Sequence, residues 1–185
     1  MGNTLMKRIG HALLIFSLLI SIPWIAVASN DAPTGMSQSD KDEILQVASA
    51  LIRSILNEDI HALSRLVSTT EGLTCTDTQY SHKEVISFLK NKKSYLYLGL
   101  YDSKGYLHKC GDSGYPPEYP PISEKEFLLS ANQTMTVNRL DNDWAEVIIT
   151  SPVKTHYPRS WSFHREGGSW RVAGGSFIIG NCTCG

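Results

Sequence analysis

The chain has 185 residues, with 17 basic and 18 acidic side chains and a formal net charge of −1. This length allows one domain with a sizeable core, so folding does not depend on disulfides alone. The balanced charge, with no large cluster of basic residues, argues against a nucleic-acid-binding protein.

The N-terminus has the features of a secretory signal peptide. Lys7 and Arg8 precede an apolar run over residues 12–25, and Ala26-Val27-Ala28 supplies the small residues that signal peptidase accepts. The run is short for a membrane span and contains Pro23, which disfavours a retained anchor. We therefore predict a signal peptide over residues 1–28. The mature protein would be periplasmic or secreted, would have no membrane span, and would carry a net charge of −3 because both basic residues are lost.

Two amphipathic helices are predicted after a polar lead-in. Residues 29–38 are rich in Ser, Asn, Pro and Gly and are expected to be disordered. A capping box of Ser39 and Asp42 would start the first helix. Apolar residues then recur at the spacing of one buried helix face: Ile44, Val47, Ala48, Leu51 and Ile55. Asn57-Glu58-Asp59 interrupts the pattern, and a shorter helix with Ile60, Leu63 and Val67 follows.

The middle of the chain predicts short elements and a loop. "LTCTDTQYS" suits a strand, "SHKEVISFLKN" a third helix capped by Ser81, and "SYLYLGLYDS" a second strand. Residues 103–122 are predicted to be a loop, because the four prolines of "GDSGYPPEYPPIS" exclude a central strand and favour polyproline II.

The last third predicts strands throughout. "EKEFLLSANQTMTVNRLD" and "WAEVIITSPVK" are separated by the polar turn Asp141-Asn142-Asp143. "RSWSFHRE" and "SWRVAGGSFII" flank Gly167-Gly168, a strong hairpin signal. Helices followed by antiparallel strands indicate a single α+β domain over residues 39–185.

Three stretches resemble the nuclear transport factor 2-like superfamily. "ILQVASALIRSILNEDIHALSRLVS" is similar to its opening helix pair, "TTEGLTCTDTQYSHKEVISFL" to its first strand and third helix, and "EGGSWRVAG" to its closing hairpin. The resemblance implies three N-terminal helices packed in a strongly curved, mostly antiparallel, cone-like sheet that encloses a pocket. The proline loop, the cysteines and the signal peptide depart from the family pattern and indicate an exported branch.

The four cysteines, Cys75, Cys110, Cys182 and Cys184, all lie in the predicted exported part. An even number in an oxidising compartment predicts two disulfides. Bonding Cys182 to Cys184 would close a very small ring, so we favour pairs that join the tail to Cys75 and to Cys110. The alternatives are a Cys-x-Cys redox pair or a metal site, but a metal would need further ligands, and no histidine lies near the pair in sequence.

No residue is predicted to be catalytic, and no cofactor or metal is expected. Five histidines follow the signal peptide, and no spacing links one of them to a candidate acid. The histidines are His61, His82, His108, His156 and His164, and the acids are Asp77, Asp102 and Asp112. His164 alternates with Trp161 and Phe163, so it should face away from them on a strand.

Four residues are candidates for ligand or partner contact. Tyr115 and Tyr119 lie in the stiff stretch "YPPEYPP", which would lose little entropy on binding. Trp161 and His164 lie on a predicted strand that could line the pocket.

These observations predict an exported, disulfide-stabilised, non-catalytic binding domain. Its partner would be a small apolar or amphipathic ligand or another envelope protein, with self-association as a homodimer left open. One alternative is a small cavity enzyme of the polyketide cyclase or dehydratase type, using a His/Asp or Tyr/Asp pair. Another is a secreted inhibitor or immunity-type protein that uses the proline loop. An acid and a base that converge in the pocket would favour the enzyme.

If the four cysteines form two disulfides, the oxidised mature protein should contain no free thiol when denatured. Thiol titration in denaturant, before and after reduction, measures this directly: we expect none before reduction and four after it. Two reactive thiols before reduction would contradict the prediction.

Overall fold

The computed structural model of the protein describes residues 26–27, 35–75, 78–110, 122–130, 133–153 and 158–176. Most of the predicted signal peptide, most of the proline loop and the C-terminal cysteines lie outside these residues. The described part is an α+β structure, as the sequence predicts, and its helices pack on a single sheet. None of its helices is long and apolar enough to cross a membrane.

The described residues form six helices and seven strands. The helices are α1 (Gln38–Leu56), α2 (Ile60–Leu66), α3 (His82–Lys90), α4 (Tyr95–Tyr101), α5 (Ser103–Cys110) and α6 (Glu124–Leu129). The strands are β1 (Ala26–Val27), β2 (Leu73–Cys75), β3 (Thr78–Tyr80), β4 (Thr134–Arg139), β5 (Trp144–Thr150), β6 (Arg159–Glu166) and β7 (Ser169–Gly175).

The sheet is open and mixed, with the strand order β1-β4-β5-β6-β7-β2-β3. Strands β4 to β7 form an antiparallel meander. Both predicted turns are confirmed: Asp141 Oδ1 accepts hydrogen bonds from the backbone N–H groups of Asp143 and Trp144, and Gly167 and Gly168 adopt φ of 58° and 86° between β6 and β7. Two pairings are parallel, that of β2 with β7 and that of β1 with β4.

Serine caps start four of the described helices, α1, α3, α4 and α6. The predicted cap of α3 is confirmed, since Ser81 and Glu84 form a complete capping box. The cap of α1 is Ser37, whose Oγ accepts from the Asp40 N–H, so the predicted box of Ser39 and Asp42 is wrong. These caps satisfy backbone N–H groups that a helix leaves open at its first turn.

Three predicted elements are wrong, because local capping overrides the strand and loop signals. "YLYLGLY" is helix α4: Ser94 caps it, and the alternating tyrosines and leucines also fit helical spacing, with Leu96 and Leu100 buried one turn apart. "EKEFLL" is helix α6, started by a capping box of Ser123 and Glu126. The first part of the predicted loop is helix α5. The set of three N-terminal helices is therefore not confirmed, because six helices precede the meander.

The core lies between the helices and one face of the sheet. Helix α1 packs across β4, β5 and β7, with Ile44, Ala48 and Ile55 fully buried. Trp161 and Phe163 of β6 are fully buried in the same core, as their alternation with polar residues predicts.

The turn at Gly72 gives a stability test. Gly72 has φ of 67°, and a Cβ there would overlap the Tyr80 carbonyl oxygen and lie 3.0 Å from the His82 nitrogen. We expect Gly72→Ala to lower the free energy of unfolding by more than about 3 kcal/mol, because strain and overlap add. Urea denaturation measures the change.

Gly167→Ala is the matched control. Gly167 has φ of 58° but nothing within 4 Å of an added Cβ. Its substitution should lower the free energy of unfolding by about 1 kcal/mol, from backbone strain alone. Equal losses in the two variants would show that the close approach of Gly72 to Tyr80 does not matter.

Candidate functional site

The space between helices and sheet is filled rather than open. Among the described residues, an apolar cavity of about 10 Å³ lies there, at the lower limit for holding one water molecule. Nine apolar side chains line it: Leu51, Leu63, Val67, Leu73, Val85, Leu89, Leu96, Leu100 and Val172. Among the described residues, the pocket that the family resemblance implies is therefore closed by packing.

One polar cluster lies inside this packed region. Glu124, the first residue of α6, is fully buried and accepts a 3.1 Å hydrogen bond from the indole N–H of Trp161. Arg159 Nε lies 3.2 Å from the other carboxylate oxygen of Glu124, and Arg159 Nη2 donates to the Ile122 carbonyl at 3.1 Å. The guanidinium also lies 5.0 Å from the ring centroid of Phe127. The cluster fixes the start of α6 on β6.

Burial dominates the electrostatics of this cluster. Burial raises the pKa of Glu124 to about 7, although the Arg159 charge and the Trp161 hydrogen bond both lower it. A carboxyl with such a pKa can act as an acid or base at neutral pH. Glu124 and the Arg159 side chain are 0% and 2% exposed, however, so the pair has no contact with solvent through which a substrate could reach it.

The two predicted contact residues on β6 face opposite sides of the sheet. Trp161 points into the core and bonds to Glu124, so it does not line an open pocket. His164 stacks on Trp144 of β5, with ring centroids 4.7 Å apart, on the other face. The predicted orientation of His164 away from Trp161 is confirmed, but the two side chains do not form one site. Tyr115 and Tyr119 lie outside the described residues.

The described residues contain no hydrogen bond between a histidine and a carboxylate. Asp102 is exposed and accepts from the Gly105 N–H at the start of α5. His108 is exposed on the same helix. His156, Asp77 and Asp112 lie outside the described residues. Nor does the described part of the chain contain a group of three side chains placed to hold a metal ion.

Cys75 is buried in β2 and is not a free thiol. The side chains of Cys110, Cys182 and Cys184 lie outside the described residues. The pairing of the four cysteines therefore stays a prediction.

A shallow groove of about 400 Å³ crosses the face of the sheet opposite the core. Small and polar residues of β2, β6 and β7 line it beside the Trp144 indole: Thr74, Ser160, Ser162, Ala173, Gly174, Gly175 and Ser176. It has no charged side chain in its lining. It offers hydrogen bonds and one aromatic surface.

A cleft of about 740 Å³ lies between α2, α3 and β7. Helix α3 contributes His82, Ile86 and Lys90, which share a face because they are four residues apart. The other lining residues come from α2, the turn after it and β7: Ile60, His61, Ser64, Arg65, Thr69 and Arg171. The lining contains three permanent cations, two histidines, two isoleucines and no carboxylate.

Backbone contacts hold the walls of this cleft in place. Arg171 Nη1 donates to the Arg65 carbonyl at 2.8 Å, which ties β7 to the end of α2. His82 Nδ1 lies 3.2 Å from the Ser68 carbonyl, which can only accept, so Nδ1 carries the hydrogen. Glu166 accepts hydrogen bonds from Ser68 Oγ and the Thr69 N–H, both at 2.9 Å.

One wall of the cleft can be recognised from the sequence. The spacing of His82, Ile86 and Lys90 defines a second face of α3, beside the buried face of Val85 and Leu89. The sequence does not show where Arg171 lies, because it is about 80 residues from Lys90 along the chain. The fold of the sheet places its guanidinium against the Arg65 carbonyl of α2.

No family model matches the chain, and no curated protein matches it. Solved structures similar to it include an NTF2-like protein with a cystatin-like fold from Novosphingobium aromaticivorans, at 13% identity and a TM-score of 0.38, covering 74% of this chain and 79% of that one. An NTF2-like protein from Cytophaga hutchinsonii has 13% identity and a TM-score of 0.39, covering 76% and 96%.

A domain with a cystatin-like fold from Nostoc punctiforme has 9% identity and a TM-score of 0.41, covering 78% of this chain and 80% of that one. These solved structures are described as NTF2-like or as having a cystatin-like fold. At such TM-scores the likeness says nothing about ligand or activity, so both are argued from the residues.

The buried cluster gives a pH-dependent stability test. Arg159→Met leaves the Glu124 carboxylate buried without its cation, and we expect a loss of about 3–5 kcal/mol in unfolding free energy at pH 8. The ordinary pKa of Glu124 is 4.5 and its folded value is already about 7. The folded variant therefore holds a proton that the unfolded chain releases, and its stability falls as pH rises from about 4.5 through 7. Urea denaturation at pH 5 and pH 8 should show the smaller loss at pH 5.

Two further variants make this test specific. Replacing both members, as Glu124→Leu with Arg159→Met, should recover most of the loss and remove its pH dependence, because no buried charge remains. Lys125→Gln breaks a surface pair with Glu58 and should change stability by less than about 1 kcal/mol at either pH. A pH-independent loss in Arg159→Met would contradict the expected burial of a charged Glu124.

Proposed function

We propose that this chain is an exported, non-catalytic binding domain that takes a small ligand in the cleft between α2, α3 and β7. One observation carries the proposal: the apolar cavity described in the interior measures about 10 Å³, whereas the cleft measures about 740 Å³. Ligand pockets in proteins typically measure about 300–1,000 Å³. The ligand would therefore bind in this outer cleft rather than in the packed interior.

The position of the titratable groups supports a binding role over catalysis. The strongly shifted carboxyl, Glu124, is sealed in the core and 0% exposed. The cleft contains His61 and His82 but no carboxylate in its lining that could orient either ring as a general base. The His/Asp pair of the enzyme alternative has no counterpart among the described residues.

Export and disulfide stabilisation are parts of the same proposal. The basic start, the apolar run and the Ala26-Val27-Ala28 site support export. The burial of Cys75 in β2 suits a cysteine that joins a later segment to the sheet. Tyr115 and Tyr119 stay predicted contact residues for an envelope partner.

Chemical-shift mapping tests the cleft as the binding site. We would titrate ¹⁵N-labelled mature protein with a fragment collection of neutral, acidic and basic compounds and follow the backbone amides. Binding shifts should concentrate on residues 60–65, 69, 82–90 and 171. Ile86→Trp, which places a large side chain over the cleft floor, should abolish these shifts.

Thr136→Trp is the matched control, because it adds the same bulk on β4, away from the cleft. It should leave the fragment shifts in place. Shifts that concentrate on the groove around Trp144, Ser160 and Ser162, or that survive Ile86→Trp, would overturn the assignment of the site.

A further inference from the structure

The charge of the cleft is one-sided. Arg65, Lys90 and Arg171 come from three different elements and lie around one opening. None of them forms an ion pair within the described ranges, where the basic partners in such pairs are Lys125, Arg159 and Arg165. The chain as a whole has slightly more acidic than basic residues, so this grouping of cations is a local feature. It creates a positive potential at the opening, which attracts an anion.

The carboxylates next to the cleft are already used by other groups. Asp59 precedes the first lining residue, and its Oδ1 accepts from the Ala62 N–H at 2.8 Å as the cap of α2. Glu166 is held by Ser68 and Thr69. These hydrogen bonds direct the carboxylates toward backbone and hydroxyl donors. Among the described residues, neither carboxylate forms a direct ion pair with a cation of the cleft.

The cleft also has an apolar component. Ile60 and Ile86 are half-buried between the cations, one on each helix. A ligand with an alkyl or aromatic part could cover both isoleucines, and each buried methylene would contribute favourably. A bare inorganic anion would leave them in water.

We infer that the cleft binds a small organic anion, a carboxylate with an apolar tail, whose charged end meets Lys90 and the two arginines and whose tail covers Ile60 and Ile86. The inference rests on the proposed function, since it names the chemical class of ligand for the same cleft. Arginine and lysine donate charge-assisted hydrogen bonds to carboxylates, and these are stronger than neutral ones. The preference for negative charge follows from three cations that form no ion pair among the described residues.

Octanoate and its neutral analogue octanamide are the probes, because they share the apolar tail and differ in the charged end. Titration of the mature protein, followed through the amides of the cleft, gives a dissociation constant for each. Octanoate should bind about tenfold more tightly than octanamide, the factor that corresponds to one charge-assisted contact. Inorganic phosphate should bind more weakly than octanoate, because it has no tail.

Lys90→Gln should weaken octanoate about tenfold and leave octanamide unchanged. Lys90 is exposed, and its side chain forms no hydrogen bond or ion pair with another described residue, so its loss should not affect folding. Lys83→Gln is the matched control: it removes the same charge from the same helix, outside the cleft lining, and should leave octanoate binding unchanged. Equal weakening by both variants would show only the general field of the helix and would overturn the inference.

The outcomes separate the inference from the proposed function. Equal affinity for octanoate and octanamide in the cleft would overturn the anionic class while the binding cleft stands. Phosphate binding as tightly as octanoate would overturn the role of the two isoleucines. If neither these probes nor any fragment shifts the cleft amides, the proposed function itself fails.

Discussion

The parallel pairing of β2 with β7 is the constraint on which the rest of the structure depends. It brings the segment after α2 against the last strand, through the Val67–Val172 bridge, the Thr74–Gly174 pair and the 2.7 Å bond from the Ser68 N–H to the Val172 carbonyl. Without it, α2 and α3 would have no sheet edge to pack on, and Arg171 would not reach the end of α2. Both the closed core and the open cleft follow from this one contact between distant parts of the chain.

Glu166 reinforces that contact through hydrogen bonds. Partial burial would raise its pKa, but hydrogen bonds from Thr69 and Ser68 outweigh burial and lower the pKa of Glu166 to about 2. The carboxylate therefore stays ionised throughout the neutral range, and the turn after α2 stays attached to the β6–β7 hairpin.

Because the described interior is closely packed, the candidate binding site is a cleft at the surface of the fold. Side chains from α1 to α4 fill the space in front of β2 and β7, and Arg159 and Glu124 satisfy part of each other's charge behind them. A buried ion pair of this kind is weak evidence for added stability but strongly penalises loss of either partner. It positions α6, whereas the cations at the cleft have no such structural partner among the described residues.

The sequence by itself determined the α+β class, the amphipathic face of α1, the Ser81 cap of α3, the two hairpin turns and the opposite orientations of Trp161 and His164. These are local, because caps, turns and strand alternation depend on residues a few positions apart. It also contained the capping box of Ser123 and Glu126, which the strand signal of the following residues masked.

Only the tertiary structure decided that the interior is filled, that Glu124 meets Arg159, and that Arg171 joins α2 and α3 around one cleft. Those outcomes depend on contacts between residues many tens of positions apart, which the pairing of β2 with β7 and the packing of α6 on β6 set, and no spacing along the chain encodes such distances.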